Sequence, residues 1–265
     1  MNTQILISSR DHMPRYVEEL AVETYGFDGL ELVLLREDTA ARRKQFLSLR
    51  HVKTIHGHID AFDAVRFREA LLPALELAHE LKVPLVNMHP GSLERGGRKN
   101  VLQCYEIAKE LSLKYNCTVA IEILPKPEKD KHRQQRAYDH PQQWADDLKR
   151  FKLVGTIDTT HLASWGVDPA EYVSCVGKRL AHLHVSDFKP SHEKGKRGQQ
   201  HMFIGDGTID FKRFFKALRG LSLKGTLYVT LEQSRRYDLV DHEKDLRRSL
   251  QLLKEYARVA EPSAV

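Results

Sequence analysis

The segment Gly155-Thr156-Ile157-Asp158-Thr159-Thr160-His161 ends an apolar run with a carboxylate and sets an imidazole three residues later. That spacing can present both groups to one pocket. Similar endings recur at His58, His89, Glu122, His184 and Glu232, each closing a short run of strand-forming residues. Carboxylates and imidazoles gathered at one point suit a divalent cation, Mn²⁺, Co²⁺, Mg²⁺ or Zn²⁺. Such a cation relieves the repulsion and desolvation that clustered carboxylates otherwise suffer. One metal centre assembled from many strand ends is the economical reading.

Short β-branched or apolar runs alternate with longer segments of helical period, the pattern of repeated βα units around a parallel sheet. Eight such runs are expected: Ile5–Ser8, Gly29–Val33, Val52–His58, Leu85–His89, Thr118–Ile123, Leu153–Asp158, Ala181–Val185 and Thr226–Leu231. The clearest helices fall at Val65–Leu81, Val101–Leu113 and Asp210–Leu218. Eight units in about 250 residues match a single-domain α/β fold, the (β/α)8 TIM barrel, over residues 1–260, with 261–265 as a C-terminal tail. A doubly wound open sheet is the alternative. It would spread its strand ends along a line, whereas a barrel converges them on one face.

The chain has 265 residues, 41% of them apolar, enough for one substantial core, and no stretch has the composition of a linker. The N-terminus lacks a basic and apolar leader pattern, and no segment approaches the roughly 20 apolar residues of a membrane span, so a cytoplasmic protein without membrane partners is expected. Cys104, Cys117 and Cys175 are odd in number and far apart, which argues against a disulfide framework or a thiolate zinc cluster. The net charge is +6. Two basic loops, Lys126–Arg136 and Lys189–Arg197, are either solubilising or an electropositive rim for a phosphorylated or nucleic-acid ligand. Lys194, Lys196, Arg197, Arg235 and Trp165 are the candidate rim residues.

Several segments together resemble the xylose isomerase-like barrels, a group that includes sugar phosphate isomerases and epimerases and the endonuclease IV class. They are Gly26-Phe27-Asp28-Gly29-Leu30-Glu31-Leu32, Asn87-Met88-His89-Pro90-Gly91-Ser92, Ile121-Glu122, Ile157-Asp158-Thr159-Thr160-His161, His182-Leu183-His184-Val185-Ser186-Asp187, the run from His201 to Asp210, and Leu231-Glu232. The resemblance implies a divalent metal held by Glu122, Asp158, His184 and Glu232. It also implies that His58, His89, His161 and His201 bind substrate oxygens or further metals. In the endonuclease IV class an aspartate just precedes the last of these histidines; here Gln199 and Gln200 stand there, and an amide is a poor replacement for a carboxylate ligand. His56 shares the side-chain parity of His58, and His58 is preferred because it lies nearer the C-terminal end of its run.

The neighbouring residues carry blander expectations. His182 reads as a core histidine, and Asp187 as a residue orienting His184 or Lys189. Gly205-Asp206-Gly207 reads as a structural turn, with Asp210 as the cap of the next helix. Trp165 either lines a sugar or base pocket or packs under a loop.

Three functional readings follow. The first is an isomerase or epimerase on a sugar or sugar phosphate, proceeding through a metal-stabilised enediolate with Glu122 and Glu232 as the acid/base pair, a double duty that the resemblance implies. The second is an endonuclease IV-like phosphodiesterase acting on abasic DNA, the one reading with a nucleic-acid partner. The third is a non-catalytic sugar-binding barrel. Family members are often oligomers, so the resemblance leaves room for a homo-oligomer.

Overall fold

Each of the eight expected runs is a strand, and together they close. In the computed structural model, β1 (Asn2–Ser8), β2 (Gly29–Val33), β3 (Val52–His56), β4 (Leu85–Met88), β5 (Thr118–Glu122), β6 (Val154–Asp158), β7 (Leu180–Val185) and β10 (Thr226–Leu231) form a parallel barrel in the order β1-β10-β7-β6-β5-β4-β3-β2. The open-sheet alternative is thereby set aside. Residues 2–9, 14–35, 40–58, 62–127, 137–193, 198–233 and 238–260 are described. The expected tail, 261–265, lies outside them.

Helices wrap the barrel: α1 (Pro14–Val17, running into a π-helical turn at Glu18–Thr24), α2 (Ala40–Phe46), α3 (Ala64–Leu81), α4 (Gly97–Tyr115), α5 (Pro141–Phe151), α6 (Thr159–Ser164), α7 (Pro169–Val176), α8 (Phe211–Arg219) and α9 (Glu243–Ala260). Asp210 caps α8 by accepting from Arg213 N at 3.0 Å, as its position suggested. The turns after α3, α4 and α5 repeat one solution: Lys82, Asn116 and Lys152 adopt left-handed backbone at φ 56°, 48° and 58°, stopping each helix just before the next strand.

The basic stretch after β7 differs from the expected plain loop. Asp187–Lys189 (β8) and Gln199–Met202 (β9) pair as a small antiparallel ribbon that contacts α6 beside the strand ends. Asp187 organises this region. Its Oδ1 accepts from Phe188 N and Ile209 N, and its Oδ2 from Gly205 N and Gly207 N, at 2.8 to 3.1 Å. The Gly205-Asp206-Gly207 turn is therefore structural, and Asp187 is committed to backbone amides rather than to His184 or Lys189. Cys104 and Cys117 are buried free thiols, and Cys175 is half-buried.

The outward strand face packs against the helices with little slack at Gly155. A Cβ there would lie 2.5 Å from Leu148 Cδ1 and 2.6 Å from Trp144 Cζ2, both on α5. Trp144 cannot retreat easily, because it is fully buried and its Nε1 donates to the Ile121 carbonyl at 3.2 Å. Gly155→Ala is expected to cost about 2 kcal/mol through overpacking, measured as a shift of the urea midpoint with unchanged slope. A cost under about 0.5 kcal/mol would mean that α5 yields freely.

The inward face is unusual for a barrel, whose interior is commonly filled by branched aliphatic side chains. Here Glu31, Thr54, Asn87, Thr156, His182 and Thr230 are all buried inside it. Thr156 Oγ1 donates to Asn87 Oδ1 at 2.7 Å, Asn87 Nδ2 donates to Glu122 Oε2 at 2.6 Å, and His182 Nε2 lies 2.8 Å from Thr230 Oγ1. A polar layer thus supports the strand ends from below. His182 belongs to it, in the core role its sequence position suggested.

Candidate metal centre

The strand register decides which side chains meet. Asp158 on β6 is paired with His184 on β7, and His184 is paired with Thr230, two residues before Glu232. Glu122 ends β5, one strand further round. Glu122, Asp158, His184 and Glu232 consequently offer ligand atoms that all lie within 4.8 Å of one another. His184 Nδ1 is 3.3 Å from Glu122 Oε2 and 3.1 Å from Glu232 Oε2. The first three residues are buried, and Glu232 is 15% exposed, on the open side.

Asp158 shows how one residue serves fold and site together. Its Oδ1 accepts from Thr160 N, Thr160 Oγ1 and His161 N at 2.8 to 2.9 Å, capping α6. Its Oδ2 is buried and has no hydrogen-bond partner among the described residues. Glu31 Oε2 and both ring nitrogens of His184 are likewise buried, and they meet as close charged contacts rather than as aligned hydrogen bonds, Nε2 with Glu31 and Nδ1 with Glu122 and Glu232. Buried polar atoms are rarely left without aligned hydrogen bonds, and several gather here. Their chemistry, carboxylate oxygen and imidazole nitrogen, fits a divalent cation.

Histidines surround Glu122. His56 Nε2 is 3.0 Å from its Oε2, His89 Nε2 is 3.5 Å from the same oxygen, and His161 Nδ1 is 3.3 Å from its Oε1. His56 Nδ1 lies 2.7 Å from the Gly57 carbonyl, which only accepts, so Nδ1 carries a proton. A neutral His56 would then point a lone pair at a carboxylate, an arrangement that a second proton or a cation relieves. His161 is anchored in the same way, with Nδ1 donating to the Ile123 carbonyl at 2.7 Å.

Charge and burial pull against each other throughout. Burial disfavours the ionised form of Glu122, but His184 and His89 hold it well below the usual carboxylate range. Burial likewise opposes Glu31, which His184 nevertheless brings down to about 2. His184 itself sits well above an ordinary histidine despite its burial, because Glu31 and Glu122 flank it. Burial pushes His182 down to about 3, so it is neutral.

The other expected residues fall as follows. His56 brings its ring into the cluster: β3 ends at His56, and His58, the residue preferred from the sequence, lies two residues on, half-buried. His201 stands near His161, with ring centroids 5.8 Å apart, and adopts left-handed backbone at φ 56°. Trp165 ends α6, donates Nε1 to the Leu124 carbonyl at 2.9 Å and packs on Tyr138, so it lies under the loop after β5. Lys194, Lys196, Arg197 and Arg235 lie outside the described residues, and the electropositive rim stays an expectation. Glu31 carried no assigned role in the sequence. Its signal was there, as an ionisable residue inside the apolar run Gly29–Val33.

A closed parallel barrel with a carboxylate and imidazole cluster at its C-terminal strand ends defines the class. The chain belongs to the xylose isomerase-like TIM barrel family, whose model matches residues 20–256. An inosose dehydratase of Clostridium botulinum is 33% identical over 87 residues, 29% of this chain; the match spans only 29% of the dehydratase. A D-tagatose 3-epimerase-like protein superposes with a TM-score of 0.70 at 19% identity, covering 97% of this chain and 98% of the other. The IolI protein, solved with a bound zinc atom, gives 0.69 at 13% identity over 97% and 99% of the two chains. At these identities the structural likeness is one of fold. No helix among the described residues is long and apolar enough to cross a membrane.

Proposed function

We propose that this chain is a divalent-metal-dependent isomerase or epimerase acting on a small sugar or sugar phosphate. The observation that carries the reading is the Glu122, Asp158, His184 and Glu232 cluster at the strand ends, with a buried, unpartnered oxygen on Asp158. A divalent ion, when bound, polarises a substrate carbonyl and the neighbouring hydroxyl and so acidifies the C–H bond between them. Those four residues would hold it.

The remaining steps belong to side chains. Glu122 and Glu232 serve as the acid/base pair, one removing the proton beside the carbonyl and the other returning it. Return to the opposite face gives the epimer, and return at the former carbonyl carbon gives the aldose–ketose isomer. Expulsion of a β-hydroxyl from the same carbanion would be dehydration, so the dehydratase among the relatives is compatible with the same first step. His89 and His161 flank Glu122 and would grip substrate oxygens; His201 stands beside His161. Asn87 and His56 keep Glu122 fixed from below.

The nuclease reading keeps one specific observation in its favour, the crowding of His56 and His89 on Glu122, which suits a second metal. One experiment separates the two. Protein purified without chelator or His-tag is assayed for metal content and incubated in D₂O with ketoses, aldoses, their phosphates and inososes. About one ion per chain, with metal-dependent exchange of a proton beside the carbonyl, supports the proposal. Two or three zinc ions, no exchange with any of these, and cutting of abasic DNA would replace it with the nuclease.

A further inference from the structure

We propose that Glu31 is the positioning residue for His184, holding its ring so that Nδ1 is offered to the metal while Nε2 carries the proton. The proposal rests on the metal-centre reading above. Two strands, β1 and β10, separate β2 from β7 around the wall, so the approach of Glu31 to His184 runs through the barrel interior. Glu31 is fully buried there, and a carboxylate in such a place persists only when it is paired.

The two ring nitrogens of His184 face different carboxylates. Nδ1 faces Glu122 and Glu232, at 3.3 and 3.1 Å, inside the metal cluster. Nε2 faces Glu31 Oε2 at 3.0 Å. A neutral imidazole has one N–H and one lone pair, so a ring that ligates through Nδ1 must carry its proton on Nε2, where Glu31 is the acceptor. The other Glu31 oxygen is steadied by Thr54 Oγ1 at 3.4 Å and lies 3.6 Å from His182 Nε2, which itself meets Thr230 Oγ1 at 2.8 Å. Asp187, the nearer carboxylate in sequence, is already committed to four backbone amides. A carboxylate behind a ligating histidine fixes its tautomer and raises its basicity, and losing it weakens metal binding about 10- to 100-fold.

The test uses the full chain, stripped with chelator and titrated with Zn²⁺ alone. Nitrogen-15 NMR of histidine-labelled protein reads which His184 nitrogen takes zinc, the signal being identified by its loss in His184→Gln. The expected result is Nδ1 bound and Nε2 protonated. Calorimetry is expected to give zinc affinity about tenfold weaker in Glu31→Gln and about a hundredfold weaker in Glu31→Ala. Zinc on Nε2 would overturn the proposal, and the wild-type spectrum alone reads this even if no Glu31 variant folds. Unchanged affinity with a lower metal-free melting temperature would also overturn it, leaving Glu31 a packing residue and the metal centre intact. A wild-type chain that takes up neither Zn²⁺ nor Mn²⁺ would remove both this proposal and the metal-centre reading.

Discussion

Glu122→Gln and Glu232→Gln are each expected to lower turnover by about a thousandfold, within the range that a positioned acid or base contributes, while far-UV circular dichroism should stay that of the wild type. The two losses arise differently. Glu122 is buried, accepts from Asn87 Nδ2 at 2.6 Å and lies 3.0 Å from His56 Nε2 on the same oxygen. An amide there would lose the charge that Asn87 and a bound metal would share, and if its NH₂ turned toward Asn87 it would set donor against donor. Metal content should therefore fall together with turnover. Glu232 is 15% exposed and borders the open side of the cluster, so glutamine fits there with less disturbance. Its variant is expected to retain more metal and to lose chiefly the proton transfer.

Solvent exchange refines the comparison. With one partner gone, the other can still remove a proton from its own face, so slow deuterium incorporation without epimerisation is the expected residue of activity. Turnover within tenfold of wild type in Glu232→Gln would show that Glu232 transfers no proton.

Removal of the proposed metal is expected to be the second large effect. Chelation would leave Glu122, Asp158 and Glu232 together around His184 without a divalent ion, in a site that is mostly buried. An ion present at 100 times its dissociation constant stabilises the native state by about 2.7 kcal/mol. For a chain of this size that corresponds to roughly 5–10 °C in melting temperature. Dialysis against chelator should lower the melting temperature by this amount and abolish C–H exchange, and Mn²⁺, Co²⁺ or Zn²⁺ should restore both. A melting temperature indifferent to chelator and to added metal would mean that these carboxylates are balanced by the histidines alone.

Much of this was legible in the chain itself. The ends of β5, β6 and β7 announce Glu122, Asp158 and His184 because strand formation and side-chain parity are local, and a polar residue closing an apolar run has few other uses in a barrel. The helix cap at Asp210 is local for the same reason. What the sequence could not decide was where local order stops and what lies across the barrel. His58 was preferred to His56 as nearer the C-terminal end of its run, but β3 ends at His56, whose ring joins the cluster, and side-chain parity along the run does not extend past that end. Asp187 lay beside His184 in sequence, yet four amides from a distant turn claim it. Glu31 lies some 150 residues before His184 and reaches it only because closure of the barrel brings opposite walls within one side chain's length. The sequence determined which residues stand at the strand ends; tertiary structure alone decided which carboxylate faces which nitrogen, since that pairing depends on barrel closure and register and has no local signal.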